Sequence, residues 1–119
     1  VKTVNILGID YRVLIAKMDD DDNLGKANAD GYCDHCSRKI VIADFDDSKH
    51  FTWENEKDKD RYAKIVLRHE LIHAFLNESG LSASTVVPDS GWAKNEEMVD
   101  WIALQFPKIA KVFKELGCE

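Results

Sequence analysis

Residues 62–79 read YAKIVLRHELIHAFLNES, and the arrangement of the rest of the chain follows from this stretch. Tyr62, Ile65, Val66, His69, Ile72, His73 and Leu76 recur at helical spacing, and Leu67, Leu71, Ala74 and Phe75 widen the apolar surface. The pattern predicts a helix from about Lys57 to Ser79, central and mostly buried, with Gly80 placed as its C-terminal cap. Inside it lies His69-Glu70-Leu71-Ile72-His73. Residues four apart share a helix face, so both imidazoles can present a nitrogen to one metal ion at about 2.0–2.1 Å. Glu70, beside the first His, is then placed to act as a general base. A lone His would be read as an ordinary core or surface residue, but two at this spacing with Glu between them point to metal.

A hydrolytic zinc site needs a third protein ligand and an open position. Downstream, Asn95-Glu96-Glu97-Met98-Val99-Asp100 reads as a separate helix start, far enough along for the chain to turn back and face the first helix. Glu96 is the expected third ligand. Asp100, four residues on and on the same face, is expected to accept the outer N–H of a ligand His and so fix its tautomer. Glu97 points elsewhere and reads as solvated. The plainer alternative for this pair is an acidic helix start favoured by the dipole. Two His and one carboxylate with an open position suit zinc best, one ion per chain.

Working outward, Val4–Leu7 and Tyr11–Lys17 read as strands of a first hairpin around Gly8-Ile9-Asp10. Tyr32–Asp34 and Lys39–Ala43 read as a second around His35–Arg38. Asp19 to Gly31 holds five Asp, yet Leu24 stands where a calcium loop needs Gly and no Glu closes it, so a solvated acidic loop is expected. Asp44–Asn55 is a polar connection carrying Phe51 and Trp53. Beyond the central helix, Leu81–Trp92 reads as a loop containing Pro88, with Asp89 or Ser90 capping a helix that carries Asn95–Phe106. Pro107 should end or kink that helix, and Ile109–Leu116 gives a last amphipathic helix closed by Gly117. The expected fold is one α+β domain over residues 1–119: a small sheet of N-terminal hairpins packed on the central histidine-bearing helix, followed by C-terminal helices.

Composition narrows the function classes. The chain has 119 residues, 45% hydrophobic and 32% charged, as in a soluble globular protein. A net charge of −6 argues against nucleic acid as a partner. Lys108, Lys111 and Lys114 share one side of the last helix and read as a solvated face. No apolar run is long enough to cross a bilayer, the N-terminus lacks a signal-peptide pattern, and three cysteines do not suggest a disulfide scaffold. A cytoplasmic location is expected. Cys33-Asp34-His35-Cys36 could be half of a structural zinc knuckle, but Cys118 alone supplies no second half, and the pair does not open a helix as in a thioredoxin-like site. Two ordinary thiols in a tight turn are expected.

The two-His motif followed by Glu96 and Asp100 resembles the gluzincin metallopeptidases. The run Glu96-Glu97-Met98-Val99-Asp100-Trp101-Ile102-Ala103 looks most like the ImmA/IrrE family, associated with phage and mobile elements, some members of which cleave a partner repressor. The chain carries Ile72 where that family usually has Gly. His69 to Phe75 also resembles the SprT-like metallopeptidases, but these commonly use a third His and none follows His73. The gluzincin resemblance implies zinc on His69, His73 and Glu96, with Glu70 as catalytic base, cutting peptide bonds in a protein or peptide partner. The alternative is a catalytically silent, zinc-scaffolded binding module. Tyr62, Tyr32, His50 and Arg68 are the candidates for a second oxyanion donor, and the strand Ile40–Ala43 for pairing with an extended peptide.

Overall fold

The computed structural model describes residues 1–84 and 91–119. Among these the chain is mixed α+β, with one four-stranded sheet in the order β1-β2-β4-β3. β1 (Lys2–Ile6) and β2 (Ile9–Ala16) pair antiparallel through a two-residue turn. Leu7 and Gly8 there have φ of 51° and 93°, the sense of backbone that matches the twist of a tight hairpin. With so short a turn, β2 begins at Ile9 rather than at Tyr11. β3 (Gly31–Asp34) and β4 (Lys39–Ala43) form the second hairpin. Its turn is folded by Asp34, whose Oδ1 accepts the backbone N–H groups of Cys36 and Ser37.

The hairpins join by parallel pairing of β2 with β4, from Arg12 opposite Lys39 to Ala16 opposite Ala43. β4 is thereby interior, and Ile40, Val41, Ile42 and Ala43 are all buried. An unbroken apolar run suits a strand covered on both faces. It also overturns the expectation that Ile40–Ala43 could receive a peptide, because both of its edges already carry strands. The edge strand of this half of the sheet is β3.

The acidic segment after β2 is anchored rather than merely solvated. It contains a short helix, α1 (Asp22–Gly25), and Asp21 caps it by accepting the N–H groups of Asn23 and Leu24. The second oxygen of Asp21 accepts the Tyr32 O–H at 2.8 Å. Met18 and Leu24 are buried, so the segment contributes to the core.

α2 (Glu56–Glu78) lies one residue from its expected bounds. Asn55 caps its start by accepting the Asp58 N–H, and Gly80 follows its end at φ 87°. Val66, Glu70 and Ala74, at successive steps of four, are its buried residues, and Val66 and Ala74 join the core formed with β4. The rest of the apolar surface is half-buried and Phe75 is exposed, so α2 is less enclosed than its sequence suggests. Phe45, Phe51, Trp53 and Tyr62 pack edge-on and stacked around its start. Tyr11, fully buried, donates its O–H to Glu78 at 2.7 Å and ties β2 to the far end of α2.

A short helix, α3 (Leu81–Ser84), begins the expected loop, and Pro88, Asp89 and Ser90 lie outside the described residues. α4 (Glu96–Glu115) is capped by Asn95, which accepts the Met98 N–H, so the cap is neither Asp89 nor Ser90. It continues through Pro107 as one helix, where two had been expected. Proline has no N–H for the carbonyl four residues back. That carbonyl belongs to Ala103, and Arg68 of α2 donates its Nε–H to it at 2.6 Å. The helix survives its proline because a neighbour supplies the missing donor. No described helix is long and apolar enough to cross a membrane.

Candidate metal centre

His69 and His73 lie one turn apart on α2, and Glu96 and Asp100 lie one turn apart at the start of α4. The helices bring the four side chains together. His69 Nδ1 is 2.6 Å from Asp100 Oδ1. A carboxylate only accepts, so His69 carries its proton on Nδ1 and donates it to Asp100. In the neutral ring the lone pair is then on Nε2. That atom lies 3.1 Å from His73 Nε2 and 3.2 Å from Glu96 Oε2, while His73 Nε2 lies 2.9 Å from Glu96 Oε1. Lone pairs from three groups therefore converge, an arrangement that a proton or a cation between them would relieve.

A metal fits this donor set. Ligand atoms about 2.0–2.1 Å from a tetrahedral ion stand roughly 3.3 Å from one another. The ring nitrogens, 3.1 Å apart, are close to that edge length, and each has one oxygen of the Glu96 carboxylate at a similar distance, Oε1 at 2.9 Å from His73 and Oε2 at 3.2 Å from His69. Glu70 also stands near both rings, and donor atoms of His69, Glu70 and His73 lie within 4.8 Å of one another. Glu96 is nevertheless the nearer carboxylate, because Glu70 Oε1 is 3.9 Å from His69 Nε2. The side chain of Glu96 is 66% exposed, so the cluster is open to water on its α4 side.

Glu70 is the one buried charged residue among those described. Burial pushes its carboxyl up to about 7; the His69 ring opposes this, while Glu96 and Asp100 add to it. Burial likewise holds His73 below its ordinary value, against the pull of Glu96. A neutral imidazole is the form that ligates metal.

The cluster forms one wall of a cleft of about 510 Å³, whose opposite wall is β3 with Gly31, Tyr32 and Cys33. Gly31 is fixed by space: a Cβ there would come within 2.9 Å of Val66 and 3.1 Å of the Val41 carbonyl oxygen. The four side chains considered as oxyanion donors each have a polar atom bonded elsewhere. Arg68 serves the Ala103 carbonyl, Tyr32 donates to Asp21, Tyr62 donates to Asp30, and His50 pairs with Asp19. His35, Asn77 and Lys94 line the cleft instead and were not singled out by the sequence. Asn77 lies one turn beyond His73 on α2, while the turn at 35–38 and the short 3-10 turn at Trp92–Lys94 carry His35 and Lys94 there, and no local pattern marks the last two placements. Cys33 also lines the cleft, its thiol pushed up to about 12 by burial and by the nearby Glu70 and Asp34 carboxylates, whereas Cys36 is exposed.

No family model, curated protein or solved structure matches the chain.

Proposed function

We propose that the protein is a zinc-dependent peptidase acting on a protein or peptide partner, with His69, His73 and Glu96 holding the ion and Glu70 as the base. The observation that carries this reading is the meeting of the two ring nitrogens, 3.1 Å apart, with the two oxygens of the Glu96 carboxylate, one 2.9 Å from His73 Nε2 and the other 3.2 Å from His69 Nε2, and the Glu70 carboxylate set back from them. When bound, zinc supplies Lewis-acid polarisation of a carbonyl and acidifies water at neutral pH. The side chains do the remainder. Asp100 holds the His69 ring by its Nδ1–H. Glu70, buried beside the ring nitrogens, takes a proton from water and returns it to the departing amine. β3, an edge strand facing the cluster across the cleft, can pair with an extended peptide. The gluzincin and ImmA/IrrE-like resemblance, and with it a role in regulating a phage or mobile element through a protein partner, belongs to the same proposal.

A second reading is favoured by one observation. Each of Arg68, Tyr32, Tyr62 and His50, looked for in the sequence as a second oxyanion donor, is bonded to another part of the fold. A zinc-scaffolded module that binds its partner without cutting it would need none. Glu70→Gln separates the two. It should retain zinc in both cases. A peptidase loses its cleavage of a denatured protein or peptide-library substrate, whereas a scaffold shows no cleavage before or after the change. Cleavage by Glu70→Gln at the parental rate would remove Glu70 from its role.

A further inference from the structure

The outward face of α4 bears residues that have no part in the metal cluster. Glu97, Trp101, Leu104, Lys108 and Lys111 follow one another at steps of four and three, the spacing of a seam between two helices. All are exposed, Trp101 to 58% and Leu104 to 44%. Val99 and Ala103, fully buried, mark the opposite side of the helix. The charges along this face are unevenly placed. Its first turn carries Glu97, its middle carries Trp101 and Leu104, and its later turns carry Lys108 and Lys111, with Glu115 beyond them.

That order complements its own reversal. When two copies of the helix lie antiparallel with Leu104 opposite Leu104, Glu97 faces Lys111 of the other copy. That pair then occurs twice by symmetry, and Trp101 and Leu104 pack at the centre. A parallel pairing would set like charges against each other along its length. A two-fold contact is the commonest way for a chain to pair with itself.

We infer that α4 is a self-association surface, along which a second copy of this chain packs antiparallel about Leu104. The Lys111–Glu115 pair within the helix, 3.9 Å apart and exposed, is too weak a competitor to hold Lys111. The net charge of −6 per chain opposes association. The face itself brings opposite charges together, so pairing should weaken with added salt. One helix face buries less than the roughly 1,200 Å² of a standard interface, which places the dimer among weak ones. The inference does not depend on metal binding.

The test is a charge swap followed by light scattering behind size exclusion and by sedimentation velocity. Protein is loaded on the order of 100 µM to suit a weak contact. The parent should sediment as a dimer. Glu97→Lys and Lys111→Glu should each weaken the dimer at least tenfold, because each puts like charges at both ends of the seam. The double variant should restore it, and mixing the two single variants should give a heterodimer, which also shows that both remain folded. A monomeric parent overturns the inference. So does a dimer indifferent to both single changes, which would place the contact on another surface such as the apolar groove around Phe75 and Phe106. A double variant no better than the singles overturns it as well.

Discussion

From Glu96 to Ala103, α4 is held on several sides at once. Asn95 caps it, Asp100 meets His69, Arg68 takes the Ala103 carbonyl, and Val99 and Ala103 are fully buried. From Lys111 onward every residue of the same helix is exposed, including Val112 and Phe113, as is Leu116 just past its end. The backbone is equally helical in both halves, so helix propensity does not distinguish them. What differs is whether side chains from other elements meet it. The first half is positioned to an accuracy that chemistry can use, and the second is free to meet something outside the fold.

The sharpest way to break that contrast is through metal affinity. Glu96→Ala should lower zinc affinity by more than about a hundredfold, since it removes a ligand, and Glu115→Ala at the other end should leave it unchanged. Asp100→Asn should cost about ten- to a hundredfold, the usual consequence of losing the partner that orients a ligand His. Isothermal titration with zinc measures all three. Equal affinity in Glu96→Ala would remove α4 from the site.

Next comes the joint between the halves. Arg68→Met should destabilise the fold by about 1–3 kcal/mol, because the Ala103 carbonyl loses its donor. Pro107→Ala in that background should recover part of the loss by restoring an N–H to the helix. Urea unfolding of the four members of this double-mutant cycle gives the coupling. Strictly additive effects would mean that Arg68 and Pro107 are unrelated.

A smaller contrast uses one residue type in two places. Val99→Ala should cost about 1–3 kcal/mol, and Val112→Ala less than about 0.5 kcal/mol. Similar losses at both would show that the distal half is also packed within the monomer. Last, the β3 hairpin offers a chemical version of the same comparison. The raised pKa of Cys33 leaves it with very little thiolate at neutral pH, so an alkylating reagent should label exposed Cys36 well before Cys33. Mass spectrometry of a time course reads the order, and faster labelling of Cys33 would contradict its burial.

These contrasts also mark what could be read from the chain in advance. α2 and both hairpins were legible because their signals are local: a helical period, a Gly at its end, and short apolar runs about a turn. The meeting of His69, His73, Glu96 and Asp100 was legible because spacing within two helices aligns each pair, and the chemistry of metal ligation supplied the reason for the pairs to meet. The passage of α4 through Pro107 was not, because the compensating donor, Arg68, is a long way off in sequence. The interior position of β4 was hidden for a similar reason: an apolar run does not say which neighbours it will have, and the parallel pairing with β2 is long-range. Asp21 looked like one acidic residue among several, and only the fold shows it holding α1 and Tyr32. His35 and Lys94 reach the cleft from turns whose sequences carry no periodic signal.

The most direct measurement is the zinc content of the folded chain after exhaustive dialysis against zinc-limited buffer, beside His69→Ala and His73→Ala variants whose fold is checked by circular dichroism. The expected result is one zinc per parental chain and almost none in either folded variant. A parent that retains no zinc, or variants that hold it as well as the parent, would contradict the convergence of two imidazoles and the Glu96 carboxylate on one ion.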